Sequence, residues 1–220
     1  MDQILASLNL AEFKSLAENA GTTVLDSRPA PEFTQGFIPG SISIGLEGRF
    51  GEWAGDLVPL QEPILLITPP GMEMETAGQL YRVGFTQLKG FLQGGFQTWK
   101  TAGEPIDMII NVEADELAMD IPFDEHLIII DVRRETEFGD SHVADAINIP
   151  LSDLTDPASM GNFEDTHNLY IHCAVGYRSV IAASLFKRQG IHNLRNVAGG
   201  FEVIRLQPTI EIVKENRVLN

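Results

Sequence analysis

Residues 169–190 read LYIHCAVGYRSVIAASLFKRQG, and this stretch decides the fold class. It opens with Leu169–His172, a run that is typical of a buried parallel strand. A short loop follows, and then a row of good helix formers that runs from Ser179 to Gln189 and ends at Gly190, where a glycine can cap the helix. A strand, a tight loop and a helix in this order are the repeating step of an α/β protein.

The same alternation continues upstream and downstream of this stretch. Leu127–Val132, Ala146–Ile149 and Leu194–Val197 have the composition of strands, and Glu135–Gly139 suits a short helix. Strands that alternate with helices predict a mostly parallel sheet with helices on both faces. Ligands of such sheets bind beyond the carboxyl ends of the strands. Cys173 lies at one of those ends.

The chain repeats itself at an offset of 105 residues. We therefore predict two tandem α/β domains of roughly 100 residues each. Their predicted extents are residues 1–105 and 110–220, with a linker in 103–112. The matched blocks are Asp26-Ser27-Arg28 with Asp131-Val132-Arg133, Glu32-Phe33 with Glu137-Phe138, Ile42-Ser43-Ile44 with Ile147-Asn148-Ile149, and Gly94-Gly95-Phe96 with Gly199-Gly200-Phe201.

Composition and charge exclude several classes of partner. The 220 residues are 44% hydrophobic with a net charge of −16, which disfavours binding to nucleic acid or to an anionic membrane. No apolar run approaches the roughly 20 residues that a bilayer span needs. The N-terminal residues also lack a basic leader before an apolar core, so we expect a cytoplasmic protein.

Cys173 is the single cysteine, which excludes an internal disulfide and a zinc site of several cysteines. A lone cysteine is more often a small buried hydrophobe than a reactive group. Here, however, residues 173–178, the Cys173 loop, join a strand to a helix. Such a loop turns backbone N–H groups toward one point, Gly176 permits the required backbone angle, and Arg178 adds a positive charge. All three favour a thiolate nucleophile.

These residues resemble those of the rhodanese family. The pattern Cys-x-x-Gly-x-Arg-Ser follows a buried strand, with Asp-x-Arg and Glu-Phe upstream and Gly-Gly-Phe downstream. The resemblance covers nearly the whole chain, once per half. It implies that Cys173 is the nucleophile that carries a persulfide and that Arg178 holds an anionic donor, and it implies no metal or organic cofactor. The loop residues implied to bind the substrate are Ala174, Val175, Gly176, Tyr177 and Ser179.

The first repeat serves as an internal control, and it has lost this chemistry. At the same offset, residues 68–73, the Thr68 loop, place Thr68 where the second repeat has Cys173. Pro69 and Pro70 remove two backbone N–H donors, because proline has none. Glu73 replaces Arg178 and brings a negative charge to a site for anions. We therefore predict that the first domain is catalytically inactive.

Residues that both repeats share are predicted to be structural. Asp131, Arg133 and Glu137 have counterparts around the inactive loop, so we expect a scaffold in which the arginine and the glutamate form an ion pair. His142, which corresponds to Phe37, is also expected to be structural. The side chain of His172 should point away from that of Cys173, because side chains alternate along a strand.

The leading hypothesis is a sulfurtransferase that moves a sulfane sulfur from thiosulfate or a low-molecular-weight persulfide to a thiol. Its neutral Ala174 and Val175 favour an organic persulfide as the donor. The inactive-then-active order also resembles the rhodanese halves of metallo-β-lactamase-fold persulfide dioxygenases, which suggests a separate protein partner of that kind.

Three alternatives remain. The first is a protein-docked persulfide carrier or regulatory module without small-molecule turnover. The second is a cysteine phosphatase or arsenate reductase, although phosphatase loops place five residues between cysteine and arginine and this loop has four. The third is a non-catalytic scaffold, which the intact Cys173 loop argues against.

Overall fold

The computed structural model of the protein describes residues 5–214. The chain divides into two compact units, Met1–Met108 and Ile109–Asn220. Each unit has a five-stranded parallel sheet and a hydrophobic core of its own. The prediction of two α/β domains in tandem is therefore confirmed. Within residues 5–214, every helix is too short or too polar to span a lipid bilayer.

The sheet of the first unit has the strand order β1-β5-β4-β2-β3, and all of its strand pairs are parallel. Its strands are β1 (Ser7–Leu8), β2 (Thr23–Asp26), β3 (Ile42–Ser43), β4 (Ile64–Ile67) and β5 (Leu88–Leu92). Its helices are α1 (Leu10–Ala17), α2 (Ala30–Thr34), α3 (Phe50–Leu57), α4 (Glu73–Arg82) and α5 (Gly95–Thr101).

The second unit repeats this plan with the strand order β6-β11-β10-β7-β9, again all parallel. These strands are β6 (Ile110–Val112), β7 (Leu127–Asp131), β9 (Ile147–Asn148), β10 (Asn168–His172) and β11 (Leu194–Val197), and an antiparallel pair is formed by β8 (His142–Val143) and β12 (Ile212–Val213). The helices are α6 (Ala114–Asp120), α7 (Glu135–Asp140), α8 (Tyr177–Arg188) and α9 (Phe201–Ile204), with two 3-10 helices at Leu151–Thr155 and Pro157–Met160.

Strand β10 lies at the centre of the second sheet because its residues are apolar enough to be covered on both faces. Tyr170 shares one core cluster with residues of α6 and α9. Strands β10 and β11 also contact α8, whose residues 179–186 are all buried. The register pairs His172 with Asp131. The carboxyl ends of β7 and β10 therefore meet at the edge where Cys173 follows.

The sequence predicted the strands and helices of this unit closely, with small differences at their ends. Helix α8 begins at Tyr177, two residues before the predicted start, and Gly190 follows it with a φ of 87° as a capping glycine does. The alternating residues Thr209–Val213 favour a strand, and the structure forms there the two-residue strand β12, which pairs with β8. The remainder of the C-terminal tail, residues 215–220, lies outside the described residues.

Candidate active site

Cys173 is the first residue after β10, at the carboxyl end of the central strand. The residue is only 1% exposed. Its Sγ accepts a hydrogen bond from the backbone N–H of Gly176, with 3.1 Å between nitrogen and sulfur. A cysteine that merely fills a core contacts aliphatic groups, whereas this sulfur contacts a backbone donor that also stabilises a thiolate.

Gly176 turns the chain from the loop into α8. Its φ of 101° lies in the left-handed region that residues with a Cβ rarely adopt. Gly176 precedes the first residue of α8, so the free N–H groups of the first helical turn point back toward the loop. The positive end of the helix dipole therefore lies behind the sulfur and favours its negatively charged form.

Helix α9 fixes the orientation of the first peptides of the Cys173 loop. The N–H of Phe201 donates to the carbonyl oxygen of Cys173 at 2.7 Å, and the N–H of Glu202 donates to that of Ala174 at 3.1 Å. In a trans peptide the carbonyl and the following N–H point in opposite directions. The N–H groups of Ala174 and Val175 therefore face away from α9.

The approach of α9 to the loop is close enough to require glycine. A Cβ on Gly200 would lie 2.4 Å from the carbonyl oxygen of Cys173, and the φ of Gly200 is 59°. The Gly-Gly-Phe motif thus has a physical role, which is to let the N-terminus of α9 bind the carbonyl groups of the loop.

Arg178 is held by a carboxylate on the neighbouring helix α7. Its two terminal nitrogens donate to the two oxygens of Glu137, both at 2.8 Å. Arg134 donates to the same carboxylate at 3.1 Å. The hydrogen bonds from Arg178 lower the pKa of Glu137 to about 2, although partial burial opposes the shift. The guanidinium group is therefore fixed in position and its charge is balanced by Glu137.

This pairing corrects one expectation. The sequence suggested that the arginine of the Asp-x-Arg motif pairs with the glutamate four residues later, but Arg133 binds Asp131 instead, with the shortest contact at 2.6 Å. Its Nη2 also donates to the carbonyl oxygen of Ser141 at 2.8 Å. The reason is the geometry of the strand end. Asp131 and Arg133 share one face there, whereas Glu137 lies on α7 within reach of Arg178.

The Asp-x-Arg motif forms the same structure in both units. In the second unit, the guanidinium of Arg133 lies 3.9 Å from the centre of the Phe201 ring. In the first unit, Arg28 binds Asp26 and lies 4.1 Å from the centre of the Phe96 ring. Burial raises the pKa of Asp26, and the hydrogen bonds from Arg28 oppose that shift. Because the arrangement persists beside the Thr68 loop, which has no cysteine, its presence in both units supports a structural role.

The other loop residues named from the sequence differ in exposure. Val175 is 66% exposed, and Ala174 and Tyr177 are half-buried. Ser179 is fully buried, and its hydroxyl donates to the carbonyl oxygen of Gly176 at 3.1 Å. The hydroxyl of Ser179 thus braces the loop from the helix side.

His142 packs against Phe138 of the helix that precedes it. Its Nδ1 lies 2.9 Å from the carbonyl oxygen of Phe138, and the two rings stack with 3.7 Å between their centres. Both contacts are local to α7 and β8, which supports the structural role expected for this histidine.

The Thr68 loop differs from the Cys173 loop in the partner of one glycine amide. Thr68 is 4% exposed at the end of β4. The N–H of Gly71, which corresponds to Gly176, donates to a carboxylate oxygen of Glu73 at 3.1 Å. The first unit therefore supplies its own anion to a backbone group that binds sulfur in the second unit.

Sequence reasoning missed two features of the site. The ion pair between Glu137 and Arg178 joins residues 41 positions apart, and no local pattern indicates it. The second feature is His172, whose imidazole contacts the carbonyl oxygen of Cys173. A signal for it was present, because the 105-residue offset places Ile67 at the equivalent position of the first repeat.

Comparisons with known proteins agree with this architecture. The family model described as "Rhodanese-like domain" matches residues 9–102 and 113–207. A putative sulfur carrier protein, YrkF of Bacillus subtilis, is 31% identical over 113 residues, which are 51% of this chain and 58% of that protein. A sulfurtransferase of Allochromatium vinosum is 24% identical over 93 residues, or 42% of this chain and 85% of that protein.

Solved structures include a thiosulfate sulfurtransferase from Pseudomonas aeruginosa. It is 18% identical, with a TM-score of 0.41, and the match covers 96% of this chain and 44% of that one. The match to the Bacillus relative likewise spans only 58% of that protein's length. The family model, in contrast, covers most of the chain in two segments that follow the two structural units. This chain belongs to the rhodanese-like domain family and contains two such domains in tandem.

Proposed function

We propose that this protein is a sulfurtransferase that works through a persulfide on Cys173. The Cys173 thiolate attacks the outer sulfur of a donor, and the donor's sulfur–sulfur bond breaks. The donor leaves as sulfite, if it was thiosulfate, or as a thiolate, if it was an organic persulfide. An acceptor thiolate then attacks the outer sulfur of the Cys173 persulfide and departs as a new persulfide, which regenerates the Cys173 thiolate.

The hydrogen bond from the Gly176 N–H to the sulfur of Cys173 carries this proposal. A thiolate is the nucleophilic form of cysteine, and this N–H is a donor that can bind it. The same N–H, the N-terminus of α8 and the charge of Arg178 can also stabilise the terminal sulfur of a persulfide, which carries a negative charge.

The length of the loop favours sulfur over phosphate chemistry. Four residues separate Cys173 from Arg178, one fewer than in cysteine phosphatases. A shorter loop offers fewer inward-facing donors and less room, so it suits a single sulfur atom better than a tetrahedral oxyanion.

An organic persulfide is the donor that the site favours. Thiosulfate carries two negative charges, and binding it requires unbalanced positive charge. Ala174 and Val175 are neutral, so residues 173–178 supply one cation, Arg178, which is shared with Glu137. A low-molecular-weight persulfide, which carries its charge on a single terminal sulfur, requires less positive charge from the loop.

The first unit would serve the second without catalysing transfer itself. We assign residues 1–105 to an inactive domain and residues 110–220 to the catalytic one. The Thr68 loop lacks the nucleophile, and the N–H of Gly71 is already bound to the carboxylate of Glu73. The resemblance to rhodanese halves of metallo-β-lactamase-fold persulfide dioxygenases suggests that a separate enzyme of this class is the partner, and a cytoplasmic location accords with this.

A second candidate function is a persulfide carrier that exchanges sulfur only with other proteins. The similarity to a protein named as a putative sulfur carrier favours it. Turnover separates the two functions. Catalysis with thiosulfate or a glutathione persulfide, with a small thiol as acceptor, supports the enzyme, whereas transfer only to a protein acceptor supports the carrier.

The central test is intact-mass measurement after incubation with each donor. We expect the wild-type protein to gain one sulfur atom and Cys173→Ser to gain none. Arg178→Ala should load sulfur roughly tenfold more slowly, because a charge that stabilises the anionic product is lost. Thr68→Ala is the matched control and should load like the wild type. Equal loading of the serine variant would rule out Cys173 as the site.

A further inference from the structure

His172 is a buried polar residue that directly precedes Cys173. It is the last residue of β10 and has no exposed surface. The equivalent residue in the first unit is Ile67, also the last residue of its strand and also fully buried. The same place in the fold therefore accepts an aliphatic side chain, and the core does not itself require a histidine.

The imidazole of His172 contacts the backbone of Cys173. Its Nδ1 lies 3.2 Å from the carbonyl oxygen of Cys173. A carbonyl oxygen can only accept, so the proton must be on Nδ1. The N–H of Phe201 donates to the same oxygen at 2.7 Å. Two donors, one from β10 and one from α9, thus hold this carbonyl group.

The other ring nitrogen has no hydrogen-bond partner within residues 5–214. The carboxylate of Asp131 is close by, with its Oδ2 3.8 Å from Nε2, and that oxygen is bound by Arg133 at 2.6 Å. Burial lowers the pKa of His172, with Asp131 opposing the shift and Arg133 adding to it. A neutral ring with an unpaired nitrogen in the interior destabilises the folded protein.

We propose that His172 is a positioning residue for the thiolate loop. By holding the carbonyl of Cys173, it directs the following N–H, that of Ala174, to the opposite side of the loop, where the sulfur and its terminal atom must be stabilised. This inference rests on the proposed role of Cys173. It explains why the chain keeps a destabilising imidazole in the unit with the cysteine and an isoleucine in the unit without it.

Ring stacking alone does not account for the histidine. Its ring lies 6.1 Å from the ring of Phe201. In the first unit, Phe96 occupies the equivalent place and the strand ends in Ile67, so an aliphatic neighbour suffices there. The donor on Nδ1 is the feature that an isoleucine cannot supply.

Three substitutions of His172 separate positioning from packing. His172→Ile removes the donor and restores the residue of the first unit. His172→Asn keeps an amide donor at the place of Nδ1, whereas His172→Gln moves it one atom further. The measurements are thermal unfolding, the pH profile of Cys173 alkylation by iodoacetamide, and the rate of sulfur loading from an organic persulfide.

We expect His172→Ile to unfold at the same temperature as the wild type or higher, yet to load sulfur roughly tenfold more slowly, because a misdirected donor no longer stabilises the anion. Its alkylation profile should shift to higher pH. His172→Asn should stay within about threefold of the wild-type rate, and His172→Gln should fall toward the isoleucine variant. If the isoleucine variant does not fold, the comparison of the loading rates of His172→Asn and His172→Gln still tests the proposal.

Ile171→Val is the control, a small change to a buried neighbour that should leave the alkylation profile in place. An unchanged profile and rate in His172→Ile, or equal losses in the asparagine and glutamine variants, would overturn the proposal. If the profiles shift as expected but no donor loads the wild-type protein, the positioning role stands and sulfur transfer fails.

Discussion

At the scale of single residues, one glycine amide has two different partners in the two units. The N–H of Gly176 binds the sulfur of Cys173, and the N–H of Gly71 binds the carboxylate of Glu73. The carboxylate of Glu73 is an anion, and the sulfur of Cys173 can become one. A backbone N–H at the turn into a helix is a good donor to such groups. The first unit places a glutamate carboxylate at this point, and the second places the sulfur of Cys173 there.

The ion pair at Arg178 gives a prediction at the same scale. Glu137 has its pKa lowered from 4.5 to about 2, so its charged form stabilises the fold above about pH 4.5, and this contribution is lost as the pH falls toward 2. Glu137→Gln should therefore lower the free energy of unfolding at pH 6, and the difference from the wild type should shrink at pH 3. Urea denaturation at the two pH values measures this.

Glu135→Gln, on the exposed side of the same helix, is the control and should change little at either pH. A deficit of Glu137→Gln that is equally large at pH 3 and pH 6 would mean that the carboxylate charge is not the source of the stability.

At the scale of elements, the orientation of the Cys173 loop depends on α9, which is only four residues long. Its N-terminal N–H groups bind the carbonyls of Cys173 and Ala174, so the helix orients the loop without contributing a side chain to the sulfur. In the first unit, a Cβ on Gly95 would lie 3.4 Å from the carbonyl oxygen of Thr68, compared with 2.4 Å for Gly200 and Cys173. The closer approach belongs to the unit that has the cysteine.

Alanine substitution of Gly200 tests this dependence. Gly200→Ala should destabilise the protein by roughly 3 kcal/mol, because the backbone angle is strained and the new Cβ meets a carbonyl oxygen. Gly190 also has a positive φ, of 87°, but nothing lies within 4 Å of the Cβ that Gly190→Ala would add, so this variant should cost only about 1 kcal/mol.

Chemical denaturation measures both free energies, and sulfur loading of the folded fraction should fall for Gly200→Ala alone. Comparable losses of unfolding free energy and of sulfur loading in the two glycine variants would contradict the prediction. They would show that the positive φ, and not the contact of Gly200 with the loop, is the cause.

At the scale of the whole molecule, the tandem repeat distinguishes residues that stabilise the fold from residues that the proposed chemistry uses. Both units keep the buried Asp-x-Arg pair and the aromatic ring beneath its arginine. Only the second has a cysteine, an arginine six positions into the loop and a histidine before it. The shared residues bind one another at the ends of the strands, and the unshared ones lie in the Cys173 loop or directly before it.

The repeat also predicts that a cysteine alone does not restore the first site. In a Cys173→Ser background, Thr68→Cys should gain no sulfur on incubation with an organic persulfide. Pro69 and Pro70 supply no N–H groups, and the Gly71 N–H is bound to Glu73. Intact-mass measurement decides this.

Replacing residues 68–73 with the sequence of residues 173–178 should allow sulfur loading. The replacement restores the backbone N–H donors and introduces an arginine at position 73. Glu32, the counterpart of Glu137, is then available to bind that arginine. A full gain of sulfur by the single Thr68→Cys variant would show that Pro69, Pro70 and Glu73 do not prevent sulfur loading at this loop.

The sequence by itself determined the fold class, the tandem repeat and the position of the loop after a buried strand. These features depend on local patterns: apolar runs such as Leu169–Ile171, capping glycines and a fixed spacing of 105 residues. The loss of donors at Pro69 and Pro70 is equally local, because it follows from the residue type.

Only the tertiary structure decided which groups meet. Glu137 could pair with any nearby cation, and it binds Arg178, 41 residues away, because the strand register brings α7 beside the start of α8. The orientation of the loop likewise comes from α9, and the contact of His172 with the Cys173 carbonyl depends on how the end of β10 is packed. Such contacts are set by the packing of distant segments, and local residue preferences do not encode them.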